Sequence, residues 1–254
     1  MKTKFITCLA LFGIIIISSC NNNSKENKIE NMTAEKNSEK ASDSAFVRGS
    51  ECDVKLDKIH FTKSINGADT LAKVDEKKNI QFHVGEKKDY FSDPDNKLSN
   101  TSAPILLSKI DNTKPFTLTA KVSPEFTAGG LYNAGVLYLY VHDNFYQKFC
   151  FEQDERGNHR IVTVRTIGTS DDNNHDVVKG KTVYMKISSD TQTVASYYSL
   201  DNKTWQMVRL YKNNYPAELW GGISSQCPVE KGTTSYFEEI SLEEKSVKDF
   251  RLGI

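Results

Sequence analysis

The sequence has one long apolar run, and it lies at the beginning. No second run of that length occurs in the 254 residues, and a membrane-spanning helix takes about 20 apolar residues. The sequence also has no cluster of Lys and Arg, since its 33 basic residues are spread along the chain and balanced by 33 acidic ones. Binding to nucleic acid needs concentrated positive charge that neutralises phosphates. Nucleic acid is therefore excluded as an expected partner.

Several short motifs with known chemistry are missing as well. The sequence contains no Cys-x-x-Cys and no His pair at helical spacing, which excludes the common zinc sites. It has no Gly-x-Ser-x-Gly nucleophile elbow and no glycine-rich phosphate loop. None of its five histidines stands in an arrangement typical of nucleophilic catalysis. No long segment shows the 3.6-residue periodicity of an amphipathic helix, so the chain is not expected to be helical.

The first twenty residues have the features of a bacterial lipoprotein signal. Lys2 and Lys4 precede a mainly apolar run over residues 5–17, which is too short to span a bilayer but suits a signal peptide. The run ends in Ile-Ser-Ser-Cys, which resembles the lipobox in which the cysteine is acylated and the chain is cut before it. We therefore expect lipidation at Cys20, a membrane as partner through that lipid, and a position in the cell envelope, periplasmic or surface-exposed, with the outer membrane favoured.

The sequence divides into three parts. Residues 1–19 are the predicted signal peptide, and residues 20–50 are the lipidated cysteine followed by a flexible linker rich in Asn, Ser, Lys and Glu. Such a composition buries too little apolar surface to offset the entropy lost on ordering. Residues 51–254 are long enough for one large β domain.

The cysteines permit one disulfide outside the cytoplasm. Cys8 would leave with the signal and Cys20 would carry lipid, so Cys52, Cys150 and Cys227 remain. Three cysteines allow one bridge and one free thiol. Cys150 lies in an apolar strand, which favours Cys52 and Cys227 as the pair and leaves the other pairings open.

Alternating apolar and polar residues predict a series of β-strands from Ile80 onward. Turn residues such as Gly, Asn and Asp separate these segments, and this pattern indicates an antiparallel sandwich. The predicted strands cover residues 80–84, 116–122, 134–142, 145–153, 160–167, 182–188, 194–200, 205–211, 219–224 and 236–243.

The hairpin that turns at Asp143-Asn144 predicts a core face and an open face. With Val141 opposite Tyr146 and Gly135 opposite Glu152, the core face carries Val136, Tyr138, Tyr140, Phe149 and Phe151. The other face then carries the side chains of Tyr146, Lys148 and Glu152, beneath a space that Gly135 leaves open.

The same hairpin resembles that of a concanavalin A-like family of uncharacterised bacterial proteins known as "regulation of enolase". The motifs that carry the resemblance are Ala134-Gly135-Val136-Leu137, residues 146–152, Asp89-Tyr90-Phe91, residues 116–122, Arg165 through Ser170-Asp171-Asp172, Gly221-Gly222-Ile223 and residues 236–240. The resemblance covers roughly residues 55–250 and implies an all-β jelly-roll sandwich of two antiparallel sheets. This chain departs from the family by having Tyr146 and Asp172 at positions where tryptophan is usual.

Two groups of acidic residues are candidates for chemistry. Glu152 and Asp154 project from one face if their strand continues, and glycosidases use two carboxylates flanking the scissile bond. A Glu152–Lys148 or Glu152–Arg165 ion pair is the structural alternative for Glu152. Asp171, Asp172 and Asp176 lie in a polar stretch that we expect to be a loop, and its oxygens suit Ca²⁺. No cofactor is required by the sequence, and calcium is the one candidate metal.

The mixed face of the hairpin is the candidate ligand site. We expect Tyr146, Lys148, Glu152 and Arg165 to bind a glycan, with the ring stacking on a sugar and the charged groups binding its hydroxyls. Three interpretations follow: a non-catalytic carbohydrate- or ligand-binding lipoprotein, a glycoside hydrolase that uses Glu152, or a structural or assembly lipoprotein without a small ligand. The oligomeric state does not follow from the sequence.

Overall fold

A computed structural model describes residues 47–254. The predicted signal peptide, Cys20 and nearly all of the linker lie outside the described residues. Val47 is buried and Arg48 donates hydrogen bonds to Asp143 and to the carbonyl of Thr101, so the structured chain includes residues that we had assigned to the linker. Within residues 47–254, no helix has the length and apolar character needed to cross a membrane.

The described chain contains seventeen strands and one helix of a single turn. In chain order they are β1 (Ser50–Lys55), β2 (His60–Ile65), α1 (Ala68–Leu71), β3 (Ala72–Val74), β4 (Ile80–Gly85), β5 (Tyr90–Ser92), β6 (Ser99–Thr101), β7 (Ile105–Asp111), β8 (Phe116–Pro124), β9 (Ala134–His142), β10 (Phe145–Gln153), β11 (His159–Ile167), β12 (Thr169–Val177), β13 (Val183–Ser189), β14 (Thr193–Ser199), β15 (Gln206–Lys212), β16 (Glu218–Gln226) and β17 (Gly232–Glu243).

Two large antiparallel sheets form a sandwich, as the sequence predicted. The eight-stranded sheet has the order β1-β2-β7-β16-β9-β10-β11-β12, and the seven-stranded sheet has the order β15-β14-β13-β8-β17-β4-β3. The short pair β5-β6 stands apart as a hairpin. The order in both sheets differs from the chain order, so distant segments become neighbours: β16 lies between β7 and β9.

The main core lies between the two sheets and follows the period of two that strands impose. Ile80, Phe82 and Val84 on β4 are fully buried, whereas the residues between them are exposed. Leu137 and Phe149 face them from the eight-stranded sheet. Cys52, Cys150 and Cys227 are all free thiols, so the favoured Cys52–Cys227 disulfide is not formed in this structure.

The register of the β9–β10 hairpin differs by one residue from the prediction. Phe145 pairs with His142, but an irregularity follows and Tyr146 pairs with Tyr140 instead of Val141. A shift of one residue moves a whole strand face to the other side. The prediction that Tyr138 and Tyr140 face the core was therefore wrong, because they lie on the face of Tyr146.

Gly135 also has a different role from the one predicted. It pairs with Phe151 and faces the seven-stranded sheet, where a Cβ would come within 2.5 Å of Val122 Cγ1. The glycine allows the two sheets to approach each other, and it leaves no space above Glu152.

Candidate functional site

The outer face of the eight-stranded sheet is closed at one end by a cluster of tyrosines. Tyr90, on the β5–β6 hairpin, packs edge-on against Tyr138, Tyr140 and Tyr146, with ring centroids 6.2, 6.2 and 5.5 Å away. All four rings are fully buried. Tyr146 is therefore part of a second core, and its ring is not accessible for stacking on a sugar as we had expected.

Asp143 fixes the β5–β6 hairpin, which we call the cover, to the sheet. Its carboxylate accepts hydrogen bonds from the Tyr90 hydroxyl at 2.7 Å and from the Tyr140 hydroxyl at 2.5 Å, and it pairs with Arg48 Nε at 2.8 Å. Burial opposes ionisation of Asp143, but the hydrogen bonds from Arg48 and the two tyrosines outweigh it and lower its pKa. The turn between β9 and β10, the cover and the first residues of the described chain therefore meet at the Asp143 carboxylate.

Lys148 lies further along β10, at the boundary between the closed and the open parts of the face. Only 3% of the residue is exposed, and its Nζ lies 3.2 Å from both Asp89 Oδ1 and Gln226 Oε1. Gln226 in turn donates to the Tyr138 hydroxyl at 2.6 Å. Burial alone would lower the pKa of Lys148, but Asp89 outweighs burial and raises it. Lys148 is therefore a charged group inside the protein.

Glu152 is the next titratable group on the same face and lies near the end of β10. Burial raises its pKa from 4.5 to about 8; Lys148 acts against this shift, and the charges of Asp172 and Asp89 add to it. The residue opposite Glu152 on the neighbouring strand β11 is Arg160, but the Arg160 side chain forms an ion pair with Asp154 at 3.0 Å. Glu152 is thus a half-buried carboxyl that carries a proton at neutral pH.

Two aromatic residues and one further carboxylate border this open region. Phe91, on the cover, has its ring centre 5.8 Å from Lys148 Nζ. Tyr132 is 40% exposed, and burial together with Glu155 and Glu152 raises its pKa. Desolvation also raises the pKa of Asp172. We call the set Phe91, Tyr132, Lys148, Glu152 and Asp172 the open patch.

Arg165 lies on the opposite face from the other predicted ligand-binding residues. It pairs with Gln147 of β10, which lies between Tyr146 and Lys148 and therefore points to the opposite face of the sheet. Its guanidinium carbon lies 4.6 Å from the ring centre of Tyr211, which belongs to the seven-stranded sheet. The prediction that Arg165 shares the ligand face was wrong, and so was the alternative of a Glu152–Arg165 pair.

The predicted calcium loop is the edge strand β12, so its carboxylates alternate between the two faces. Asp172 belongs to the open patch, whereas Asp171 pairs with Arg209 and Asp176 accepts a hydrogen bond from the Tyr198 hydroxyl at 2.7 Å. In the part of the chain that the structure describes, no three His, Cys, Asp or Glu side chains are grouped to hold a metal ion.

The predicted pair of Glu152 and Asp154 is not formed, because Asp154 closes the β10–β11 turn. Its carboxylate accepts hydrogen bonds from the backbone N–H groups of Arg156 and Asn158 at 2.9 and 2.8 Å. Burial opposes its charge, but these bonds and the one from Arg160 lower its pKa to about 2. Chemically, the open patch therefore offers a neutral acid at Glu152 and a carboxylate at Asp172, beside a buried cation at Lys148 that Asp89 already neutralises.

The family of the chain follows from comparison with known proteins. A family model described as "Protein of unknown function (DUF1349)" matches residues 68–245. The chain belongs to this family. The matched segment contains Phe91, Tyr132, Lys148, Glu152 and Asp172. The family description carries no activity and does not test the enolase label. No curated protein matches this chain.

Solved structures similar to this DUF1349 domain are β-sandwich proteins. A functionally unknown protein from Saccharomyces cerevisiae has a TM-score of 0.65 and 20% identity, with 73% of this chain and 97% of that chain covered. The GH43 BlXynB protein from Bacillus licheniformis has a TM-score of 0.56 and 14% identity, and a xylan β-1,4-xylosidase from Bacillus halodurans has 0.53 and 13%. For both, 76% of this chain is covered but only 38% of theirs. At these identities the likeness shows the fold alone.

Proposed function

We propose that this protein is a lipid-anchored, extracytoplasmic module that binds a carbohydrate at the open patch without transforming it. The observation that carries the proposal is Glu152, a half-buried carboxyl on an accessible sheet face with a pKa of about 8. A titratable group so strongly perturbed by burial and by specific neighbours, on an accessible surface, is a candidate for function.

The charges of the patch favour an uncharged ligand rich in hydroxyl groups. Asp89 pairs with Lys148, so no unpaired cation is available for a phosphate or a carboxylate. Protonated Glu152 both donates and accepts hydrogen bonds, and the Asp172 carboxylate accepts them. Sugar hydroxyls have the same two capacities, so neighbouring hydroxyls can pair with both groups.

The aromatic residues of the patch supply the apolar part of a sugar site. Ligand sites combine apolar surface with a few polar groups that fix orientation. Tyr132 takes the stacking role that we had expected of Tyr146, because it is 40% exposed and lies near enough to Glu152 for the ionised form of that carboxyl to raise its pKa. Phe91, half-buried on the cover beside Lys148, borders the same region.

The location of the protein is part of the proposal and is supported by the first twenty residues. The positive start, the short apolar run and the cysteine after two small residues are typical of a lipoprotein signal. Acyl chains contribute about 0.8 kcal/mol for each buried CH₂, which holds a protein with more than one chain on a membrane.

A glycan array with the full chain carrying Cys20→Ser tests the site. We expect binding to neutral oligosaccharides that is weakened at least about tenfold by Tyr132→Asn and by Glu152→Ala, the loss expected for a central contact. Asn suits Tyr132 because the backbone there is left-handed, with φ of 62°, and Asn tolerates that conformation. The matched controls are Tyr236→Ala, which removes a 38% exposed ring on the other sheet, and Glu76→Gln, which removes an exposed carboxylate from the turn between β3 and β4.

Each outcome bears on the proposal. Binding that the controls leave intact and both patch variants weaken supports it. Binding that survives Tyr132→Asn and Glu152→Ala contradicts the site. No binding to any glycan contradicts the function and favours a structural or assembly lipoprotein.

A glycoside hydrolase is the second candidate, because a carboxyl protonated at neutral pH suits a general acid. Inverting glycosidases place two carboxyl groups about 6.5–9.5 Å apart, and the Asp172 carboxylate acts electrostatically on Glu152. Release of reducing sugar from a bound glycan, abolished by Glu152→Gln while binding persists, would establish this activity. Binding without release leaves the non-catalytic module.

A further inference from the structure

A groove crosses the outer face of the seven-stranded sheet, on the opposite side of the sandwich from the open patch. Its volume of about 870 Å³ is within the range of ligand sites. Side chains of β8, β13 and β17 form its floor, and the β1–β2 turn, the β3–β4 turn and the segment after β17 supply the rest of its lining. The groove is therefore assembled from parts of the chain that are far apart in sequence.

Three neighbouring strands place Lys186, Thr119 and Ser241 side by side on the floor. Thr119 is the cross-strand partner of both Lys186 and Ser241, so the three side chains share the outer face. Leu118 and Ile187, which come next on β8 and β13, belong to the core between the sheets. All three floor residues are half-buried. A cation and two hydroxyl groups therefore lie in a row across the groove.

Lys186 is a half-buried cation to which the described chain supplies no carboxylate. Its Nζ donates a hydrogen bond to the Gly253 carbonyl at 2.9 Å and lies 3.6 Å from the ring centre of Trp205. An ammonium group has three N–H donors, so these two contacts leave one donor for a ligand. Burial and the positive charge of Lys245 lower the pKa of Lys186 to about 8, and no carboxylate of residues 47–254 acts against them. An anion between Lys186 and Lys245 would relieve their repulsion.

The whole lining carries more positive than negative side chains. Six lysines from four separate segments line the groove: Lys58, Lys77, Lys78, Lys186, Lys245 and Lys248. Its acidic side chains are Asp57, Glu239 and Glu243, and Glu243 is already paired with Lys245 at 2.5 Å. A cleft with an excess of one charge raises the local concentration of ligands of the opposite charge. We call this surface the lysine groove.

We infer that the lysine groove binds a sugar chain that carries carboxylates. A carboxylate paired with Lys186 forms a charge-assisted hydrogen bond, which is stronger than a bond between neutral groups. The hydroxyls of Thr119 and Ser241 both donate and accept, as the hydroxyls of a sugar do. Tyr184 and Trp205, which also line the groove, supply apolar surface of the kind that ligand sites contain.

The lining fits this ligand better than it fits phosphates. No arginine is among the described residues that line the groove, and arginine is the side chain whose planar fork matches phosphate. Double-stranded DNA carries one charge per about 1.7 Å, and the acidic side chains of the lining would oppose charges so closely spaced. A uronic acid chain carries only one charge per ring. The lysine groove lies on the other sheet, so the inference does not rest on the function proposed for the open patch.

Calorimetric titration of the full chain carrying Cys20→Ser tests the inference, with oligogalacturonate and oligomannuronate as probes. The matched probe is methyl-esterified oligogalacturonate, which has the same sugars without the charge. We expect saturable binding of at least one acidic oligomer, and binding of the ester at least about tenfold weaker than that of oligogalacturonate if oligogalacturonate binds. Lys186→Met should weaken binding at least about tenfold, as loss of a central contact does. Thr119→Asp should do the same, because it places a carboxylate opposite Lys186, and an opposite-charge pair across two strands does not disturb the sheet.

One control and one further variant locate the binding. Lys212→Gln removes an exposed lysine of the same sheet outside the groove and should leave the affinity unchanged. Glu152→Ala separates the two sites, because loss of uronate binding in this variant would place the ligand at the open patch and overturn the inference.

The remaining outcomes are equally decisive. Absence of binding to both acidic oligomers, equal binding of the acid and the ester, or tighter binding of inorganic phosphate overturns the inference. Wild-type affinity in Thr119→Asp overturns it as well, and this variant remains decisive if Lys186→Met fails to fold.

Discussion

Replacement of Glu152 by glutamine should stabilise the protein, and the gain should grow with pH. Glutamine matches the protonated carboxyl in shape and cannot ionise. The pKa of Glu152 is about 8 in the fold against an ordinary 4.5, so the folded state binds this proton more tightly than the unfolded chain. The stability that this tighter proton binding contributes is complete below pH 4.5, declines as the pH rises from there to about 8, and is lost above pH 8.

The size of the stability difference between Glu152→Gln and the wild type follows from this pH range. Each pH unit inside it changes the free energy of unfolding by about 1.4 kcal/mol when the unfolded group is ionised and the folded one is not. Between about pH 5 and pH 7 the advantage of Glu152→Gln over the wild type should therefore widen by about 2 to 3 kcal/mol. Near pH 5 the two proteins should be almost equally stable.

Urea denaturation at about pH 5, 7 and 9 measures this difference, with Glu155→Gln as the matched loss of one carboxylate three residues along the chain. Comparing each variant with the wild type at the same pH removes the contributions of the titrating groups that do not interact with the substituted residue. A constant difference between Glu152→Gln and the wild type at all three pH values would show that Glu152 is solvated and ionised, which would refute the reasoning behind the open patch.

Three further substitutions test the packing around the site, each by urea denaturation. Lys148→Met should lower the free energy of unfolding by about 3 to 5 kcal/mol because it leaves the Asp89 carboxylate, whose side chain is only 17% exposed, without its cation, and adding Asp89→Leu should recover part of the loss. Tyr90→Phe should cost about 2 kcal/mol, because it removes a hydrogen bond to the ionised Asp143. Gly135→Ala should cost about 1 to 3 kcal/mol, since its methyl group would collide with a valine of the facing sheet; no loss of stability would show that the sheets separate freely there.

The alternation of apolar residues was enough to predict most of the sandwich. Strands with one face toward the core, such as β4 and β8, are evident from the sequence because every second residue is buried. The strand β7 was missed, although it lies beside β16 in the eight-stranded sheet. Five of its seven residues are buried, on both faces, so its sequence, Ile-Leu-Leu-Ser-Lys-Ile-Asp, lacks the regular alternation of apolar and polar residues.

The site was predicted less completely, for two physical reasons. The irregularity after Phe145 shifts the register by one residue, and nothing in the local sequence specifies it. The remaining residues come from distant segments: Phe91 arrives on the cover, and Tyr132 arrives from the loop before β9. Asp89-Tyr90-Phe91 was visible as a motif of the resembling family, but pairing of Asp89 with Lys148 depends on how the cover folds over the sheet.

The open patch lies far from the point at which the described chain enters the sandwich. Arg48 attaches the beginning of the described chain to Asp143, at the start of β10. Glu152 lies nine residues further along, which corresponds to about 30 Å at the rise of a β-strand. The described chain therefore begins at one end of this sheet face, beside the closed tyrosine cluster, and the open patch lies at the other end. A ligand bound at the open patch would contact neither Arg48 nor Asp143, so substitutions at these two residues should leave its binding unchanged.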